Sequence, residues 1–144
     1  MILLDTNIVS ENFRPKPNRA VISWVDSQPA GSLYLCTPVL AELRFGLERL
    51  ATGQRKDELQ TAIDRVENDY FRGRILVLDV NAAAEYGRLV AKRQRIGRPI
   101  QQMDGLIAAI ASINRLTLAT RDTRDFADLG LDMVNPFEPT ASNS

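Results

Sequence analysis

Five short, mainly apolar runs alternate with longer segments of helical periodicity along this chain. Runs that are apolar at consecutive positions are typical of strands buried on both faces of a sheet. The runs are Ile2–Leu4, Leu33–Cys36, Ile75–Leu78, Leu116–Ala119 and Met133–Val134. Strands that alternate with helices favour right-handed crossovers, so the sequence predicts an α/β fold with a mainly parallel sheet covered on both faces.

The helical segments carry their own start and stop signals. Pro17 precedes a predicted helix over residues 18–26, and proline is favoured at helix starts. Thr37 is predicted to cap the helix that begins at Pro38, and Asn81 is predicted to cap a helix that runs to residue 96. The last helix should begin near Gln101. Another apolar stripe at helical spacing consists of Leu59, Ile63, Val66 and Tyr70.

Length and composition predict one domain. A chain of 144 residues with 44% apolar residues is long enough to bury a single core. No interior linker interrupts it, so we predict a domain over residues 1–137 and a flexible tail over 138–144. The chain opens with Met1 and Ile2 without a basic leader, and no run approaches the roughly 18 apolar residues of a membrane span. We therefore expect a cytoplasmic location.

The sequence contains no histidine and one cysteine, Cys36. A Ser-His-Asp triad, a Cys-His pair and nearly all zinc sites are thereby excluded. Cys36 lies in an apolar run and is interpreted as a small buried residue rather than a reactive thiol. Hydrolytic chemistry would have to use carboxylates, lysine or a metal held by oxygen ligands.

Two predicted strands are followed by an aspartate at the same edge of the sheet. Asp5 comes directly after residues 2–4, and Asp122 follows residues 116–119. Ligands of open α/β sheets bind outside the carboxyl ends of the strands, where the strand order reverses. If the chain reverses direction after its first strand, these two strands lie side by side and their aspartates converge.

Glu42 and Asp104 lie on predicted helices, each at the margin of an apolar stripe. Glu42 borders Leu40 and Leu43, and Asp104 precedes Ile107 by three positions. Carboxylates at the edge of a core are costly unless positive charge compensates them. A divalent cation would do so, and oxygen ligands indicate Mg²⁺ or Mn²⁺ rather than zinc.

Each acid also has a structural alternative. Asp5 and Asp104 could stabilise the first turns of their own helices. Glu42 could pair with Arg44, and Asp122 could shape a turn. Any one of these roles is ordinary, but four acids placed in this way are better explained by a shared ligand.

Three polar residues flank the acids. Thr6, Asn7 and Thr120 could orient the carboxylates or a water by hydrogen bonding, although turn formation explains them equally well. Asp125 is a possible fifth acid, which we interpret instead as part of a short helix. A basic run is interpreted as a solvated helix face that could alternatively steer RNA or a partner; it consists of Arg88, Lys92, Arg93, Arg95 and Arg98.

Four sequence blocks surround the acids. They are Leu4–Asn7, Val39–Gly46, Met103–Ala111 and Ala119–Phe126. In this order the blocks resemble the PIN-domain ribonucleases, and more narrowly the toxin component of VapBC-type toxin–antitoxin pairs, including the FitB-like branch. The resemblance extends from residue 1 to about Phe137.

The resemblance implies a three-layer α/β/α sandwich around a five-stranded parallel sheet, and an endoribonuclease that depends on Mg²⁺ or Mn²⁺. It further implies a homodimer and a VapB-like antitoxin whose tail covers the site. The family's four acidic positions are occupied by Asp5, Glu42, Asp104 and Asp122. Asp5 and Asp104 would be the central metal ligands, and the metal would activate a water that attacks the RNA phosphodiester.

Two other functions remain open at this point. A haloacid-dehalogenase-type phosphatase also places an aspartate after its first strand, but it usually has a second acid two positions later, where this chain has Asn7. A non-catalytic PIN-fold regulatory module, acting through an antitoxin or DNA-binding partner, would use the same fold without the chemistry. The presence of all four acids favours the nuclease.

Overall fold

The computed structural model describes residues 1–138 of the chain. Within them five strands form one sheet in the order β3-β2-β1-β4-β5, and every pairing is parallel. The strands are β1 (Ile2–Leu4), β2 (Leu33–Cys36), β3 (Ile75–Leu76), β4 (Thr117–Ala119) and β5 (Met133–Val134). The predicted α/β class is confirmed, with a sheet that is wholly rather than mainly parallel.

Six α-helices flank the sheet within residues 1–138. They are α1 (Thr6–Glu11), α2 (Arg19–Ser27), α3 (Thr37–Glu48), α4 (Gln54–Arg65), α5 (Val80–Arg95) and α6 (Gln102–Ile113). The sheet grows in one direction from β1 to β3 and then resumes on the other side of β1 with β4. Right-handed crossovers place α1–α4 on one face and α5 and α6 on the other, which gives the three-layer sandwich.

The chain reverses direction only after β3, but β1 and β4 still lie side by side, which is the arrangement on which the convergence of the two aspartates was conditional. Leu4 pairs with Ala119, and the amide of Asp5 donates to the carbonyl of Ala119 at 2.9 Å. The carboxyl ends of the two strands therefore lie side by side. This edge of the sheet is where a ligand of an open α/β fold is expected.

The core is assembled from the strands and from one face of each covering helix. Leu3 in β1, Leu118 in β4 and Val39 in α3 are fully buried. Helix α6 buries five consecutive residues, 107–111, because three small alanines allow close contact on several sides. In the described part of the chain, no helix is both long and apolar enough to cross a membrane.

The third strand is shorter than predicted. It ends at Leu76, and the next two residues, Val77 and Leu78, are 61% and 38% exposed. The amide of Leu78 donates to the hydroxyl of Thr37 at 3.4 Å, so the chain has left the sheet at this point. The prediction failed because an apolar run does not distinguish a buried strand from an exposed apolar surface.

Two predicted helix caps are wrong by one or two positions. Thr37 is the first residue of α3, whose cap position, Cys36, makes no side-chain cap bond. Helix α5 is capped by Asp79, which accepts from the amide of Ala82 at 2.8 Å, rather than by Asn81. Aspartate and asparagine cap about equally well, so residue type alone could not choose between them.

The apolar stripe of α4 loses its phase at its carboxyl end. Ile63 and Val66 are buried, but Tyr70 is 64% exposed. The helix passes at Val66 into a π-helical turn that ends at Tyr70. A π turn contains more residues than an α turn, so a stripe drawn at α-helical spacing no longer points to the core. Of the predicted tail 138–144, all but Glu138 lies outside the described residues.

Two glycines test the packing of α5 on α6. A Cβ atom at Gly105 in α6 would lie 2.8 Å from a ring carbon of Tyr86 and 3.1 Å from Val90, whereas one at Gly87 in α5 would meet nothing within 4 Å. Gly105→Ala should therefore lower the free energy of unfolding by about 1–2 kcal/mol, because it overpacks the helix interface. Gly87→Ala should raise it by about 0.5–1 kcal/mol through helix propensity.

Urea unfolding of both variants beside the unmodified protein measures the two effects. A Gly105→Ala protein as stable as Gly87→Ala would contradict the close contact of the two helices.

Candidate functional site: an acidic cluster at the β1–β4 edge

Asp5 lies directly beyond β1 and caps α1. It is 5% exposed. One carboxylate oxygen accepts from the amide of Thr6 at 2.8 Å, and the other accepts from the hydroxyl of Thr120 at 2.8 Å. The capping role considered from the sequence is therefore real, and the helix that Asp5 caps begins at Thr6. A cap explains one oxygen of Asp5 and leaves the other facing the carboxyl end of β4.

The electrostatic environment of Asp5 is unfavourable to its charge. Burial raises the pKa of Asp5 above its ordinary value, the hydrogen bonds from Thr120 and Thr6 lower it, and the negative charges of Glu42 and Asp122 raise it again. The net direction is upward. Burial is the largest cause of the raised pKa, and the two hydrogen bonds do not offset it.

Glu42 reaches the same place from α3. One of its oxygens accepts from the hydroxyl of Thr6 at 2.5 Å. Arg44, the partner suggested by the sequence, instead contacts Asp64 at 2.9 Å and Glu67 at 3.0 Å. Arginine pairing therefore does not account for Glu42.

Asp122 is exposed and begins a 3-10 turn that spans Thr123–Phe126. Its carboxylate accepts from the side-chain amide of Asn7 at 3.0 Å, and its backbone amide donates to the Thr120 hydroxyl at 3.0 Å. Thr120 thus contacts Asp5 and Asp122 at once. The orienting hydrogen bonds expected of the flanking polar residues are present.

Asp104 lies in the first turn of α6 and is partly buried. Burial raises the pKa of Asp104 to about 6, and the negative charges of Asp5, Asp125, Glu42 and Asp122 add to the increase. These four acids, with Asp104, come from both faces of the sheet and from the turn after β4. Asp125, interpreted from the sequence as part of a short helix, lies in that 3-10 turn, and its negative charge contributes to the raised pKa of Asp104.

We call Asp5, Glu42, Asp104 and Asp122 the acidic cluster. In the described residues no lysine or arginine comes within ion-pair distance of any member. Within residues 1–138, no group of three or more acids, histidines or cysteines is arranged, with the side chains as they stand, so that it could hold a metal ion. The cluster is therefore a set of neighbouring, mutually repelling carboxylates. Its donors are all hard oxygens without a positive partner, which fits a divalent cation such as Mg²⁺ or Mn²⁺.

Cys36 is buried beside this edge of the sheet. Burial raises the pKa of its thiol to about 12, and the charges of Asp5 and Glu42 contribute to the increase. A thiol that stays protonated at neutral pH is a poor nucleophile and a poor metal ligand. The interpretation of Cys36 as a small buried residue is confirmed.

The basic run on α5 is not a uniform solvated face. Arg88 pairs with Glu85, but Arg93 is only 4% exposed. Its guanidinium donates to three backbone carbonyls, two of them around the 3-10 turn that follows Asp122. The sequence interpretation of Arg93 is therefore wrong. A signal was available, since Arg93 lies four positions after the buried Leu89 and shares its helix face.

Comparison with known proteins begins with the family model of the PIN domain, which matches residues 2–131. Among curated proteins, the chain is 41% identical to the VapC ribonuclease Y4jK of Sinorhizobium fredii over 139 residues, which is 96% of this chain and 99% of that protein. It is 40% identical to toxin FitB of Neisseria gonorrhoeae over 137 residues, which is 95% of this chain and 99% of that protein.

Solved structures also match the chain over nearly its whole length. The structure of FitAB bound to an IR36 DNA fragment superposes with a TM-score of 0.92 at 37% identity and covers 99% of both chains. The structure of FitAcB from Neisseria gonorrhoeae superposes with a TM-score of 0.88 at 40% identity and covers 96% of this chain and 100% of the other. The similarity thus spans the whole described domain, including every element that carries an acid.

The crowding of Asp104 predicts the sign of a stability change. Because the folded-state pKa of Asp104 is raised above its ordinary value of 3.8 to about 6, its contribution to stability is complete below pH 3.8 and is lost as the pH rises through 6. Asp104→Asn does not ionise. In EDTA at pH 7 it should therefore melt at or above the temperature of the unmodified protein, and it should lose less stability between pH 4 and pH 7.

Asp79→Ala provides the contrast, because Asp79 caps α5 outside the cluster. Its loss should lower stability by about 0.5–2 kcal/mol. Melting curves in EDTA at several pH values compare the two substitutions. A fall in melting temperature for Asp104→Asn as large as that for Asp79→Ala would assign Asp104 to helix capping alone.

Proposed function

The chain belongs to the PIN-domain family, and from this premise we propose that it is an Mg²⁺- or Mn²⁺-dependent endoribonuclease that acts as the toxin of a toxin–antitoxin pair. Relatives of nearly the same length are named ribonucleases and toxins, which supports this activity. The observation that carries the proposal is the acidic cluster, four converging carboxylates without a cationic partner in the described chain. Family membership also removes the phosphatase alternative.

The proposed metal ligands are the members of the acidic cluster. Asp5 and Asp104 are proposed as the central pair on the family resemblance; the pKa of each is raised, mainly by burial, and the negative charge of Asp5 contributes to the increase at Asp104. Glu42 and Asp122 would complete the site directly or through water. A bound divalent ion supplies charge stabilisation at a phosphate oxygen and lowers the pKa of a water nucleophile.

The chain's own contribution is to hold the carboxylates in place. Thr6 fixes Glu42 through its hydroxyl and Asp5 through its amide, so one residue sets two acids. From the other strand, the Thr120 hydroxyl donates to the Asp5 carboxylate and accepts from the backbone amide of Asp122, so it fixes one acid and the backbone of another. Hydrogen bonds of this kind orient ligands before the ion arrives, and their loss typically costs 10- to 100-fold in affinity or activity.

The first functional prediction is RNA cleavage that requires the ion and the central acids. Purified protein free of any partner should cut single-stranded RNA in Mg²⁺ or Mn²⁺ and should stop when EDTA is added. Asp5→Asn and Asp104→Asn should each reduce cleavage by at least about a hundredfold, because a charged ligand of the catalytic ion is lost.

Asp69→Asn is the matched control, since Asp69 is exposed on the π-helical turn and does not belong to the cluster. It should cleave at the unmodified rate. Cleavage that survives exhaustive chelation would falsify the metal mechanism. A protein that is folded and metal-loaded yet never cuts RNA would favour the non-catalytic regulatory module.

A partner protein is also part of the proposal, because the similar solved structures are complexes named FitAB and FitAcB. A cleft of about 510 Å³ runs between α1, α3 and α4 and is lined by Thr6 and Glu42 at one end. Farther along it is lined by Phe13 and Leu59, with Arg55 beside them. An antitoxin segment with apolar side chains could occupy the cleft and extend a cation into the acidic cluster.

The second functional prediction concerns this cleft. Co-expression with the antitoxin encoded beside the toxin should give a stable complex with suppressed cleavage. Leu59→Glu should weaken the complex at least tenfold, because it places a charge on the apolar wall, while the free protein still cleaves RNA. Ile113→Glu, at the end of α6, is the control.

Titration calorimetry with the purified antitoxin measures the affinities. Equal binding by Leu59→Glu and the unmodified protein would move the antitoxin away from this cleft. Full cleavage activity in the complex would contradict inhibition.

Assembly and location complete the proposal. A second copy of the chain would have an apolar surface to cover where the chain leaves β3, since Val77, Leu78 and Val80 are exposed. The homodimer implied by the family resemblance is proposed at this surface. A cytoplasmic location remains a prediction from the sequence.

A further inference from the structure

Arg93 is a buried cation with an unusual set of partners. Its side chain lies on the inner face of α5, four residues after Leu89, and the residue is 4% exposed. Within residues 1–138 it forms no ion pair. Burying an unpaired charge is expensive, so its hydrogen bonds have to compensate for lost hydration.

The three hydrogen bonds of Arg93 go to two separate segments. Nε donates to the carbonyl of Arg98 at 2.6 Å, in the connection between α5 and α6. Nη1 donates to the carbonyls of Asp125 at 2.7 Å and Ala127 at 3.0 Å, in and after the 3-10 turn. Charge-assisted bonds of this length are among the stronger ones in proteins. One guanidinium thereby joins two segments that are far apart in the sequence.

These two segments carry the acids on one side of the cluster. The α5–α6 connection leads into the first turn of α6, where Asp104 lies. The 3-10 turn begins at Asp122 and contains Asp125. The separation between Asp104 and the acids of the turn therefore depends on the two backbone segments to which Arg93 donates hydrogen bonds.

We propose that Arg93 is a positioning residue that fixes the 3-10 turn, and with it Asp122 and Asp125, opposite Asp104. The inference rests on the proposed function, because the separation matters only if these acids share an ion. Like charges drive the two segments apart. A buried fork of donors to main-chain oxygens opposes this without neutralising a carboxylate, which a basic residue within the cluster would do.

A second link between the same two segments supplies the matched control. Arg98 and Asp128 form an ion pair at 2.7 Å, with side chains 49% and 50% exposed. Exposed pairs contribute little to stability because water and salt screen them. If any charged link between the two segments were sufficient, Arg98→Met would weaken Mn²⁺ binding as much as Arg93→Met. If the buried bonds to the turn are responsible, only the substitution at Arg93 has an effect.

The experiment measures Mn²⁺ binding and backbone protection in the purified full-length protein. Mn²⁺ affinity is determined by electron paramagnetic resonance for Arg93→Met, Arg93→Lys and Arg98→Met. Leu89→Ala serves as a control that destabilises the same helix face without touching the turn. Amide hydrogen exchange over residues 120–129 is followed by mass spectrometry.

Arg93→Met should weaken Mn²⁺ binding by about tenfold or more, the usual size of an effect on ligand orientation. Exchange over residues 120–129 should accelerate in the same variant. Arg93→Lys provides one nitrogen in place of two and should fall between Arg93→Met and the unmodified protein. Arg98→Met and Leu89→Ala should keep the unmodified affinity.

Two results would overturn the inference. One is an Mn²⁺ affinity of Arg93→Lys equal to that of Leu89→Ala, and the other is unchanged exchange over residues 120–129 in Arg93→Lys. Both results are measured on Arg93→Lys, so the test does not require that Arg93→Met folds. Failure of the proposed function looks different, because the unmodified protein would then neither bind Mn²⁺ nor cut RNA.

Discussion

Repulsion among four carboxylates is the constraint to which the rest of this structure responds. The acids converge because two parallel strands end side by side and two helices begin at the same edge, so the topology itself brings them together. Desolvation at that edge makes the charges of Asp5 and Asp104 harder to maintain, and it is the main cause of their raised pKa values. A fold that keeps such a cluster loses stability at neutral pH, and binding of the small, hard cation that we propose would offset this loss.

The surrounding hydrogen bonds answer this constraint without removing the charge. At the ends of the two central strands, Thr6 donates to the carboxylates of Asp5 and Glu42, and Thr120 donates to Asp5 and accepts from the backbone amide of Asp122. Asn7 adds a neutral amide donor to Asp122. Arg93 lies outside the acidic cluster, and its guanidinium donates to backbone oxygens instead of carboxylates. The carboxylates are thus held in position but are not neutralised.

Much of this arrangement could be predicted from the sequence, because it depends on patterns that sequence records well. Short apolar runs defined the strands, and an aspartate directly after two of them located the site at the switch between β1 and β4. The polar neighbours Thr6, Asn7 and Thr120 were identified as possible orienting donors, although turn formation explained them equally well from the sequence. The choice of Asn81 over Asp79 as a cap failed because both side chains can cap.

Arg93 was misread because its charge suggested solvent, while its spacing from Leu89 placed it on the buried face. Hydrogen bonds to main-chain carbonyls leave no trace in side-chain patterns, so no sequence argument could have specified its partners.

The central claim is that the acidic cluster holds a divalent ion, and anomalous diffraction from crystals soaked in Mn²⁺ tests it most directly. The account predicts an anomalous peak within about 2.0–2.3 Å of carboxylate oxygens of both Asp5 and Asp104, and no peak at the same position in Asp104→Asn crystals. A cluster without a peak, at an Mn²⁺ concentration that supports RNA cleavage in solution, would contradict it.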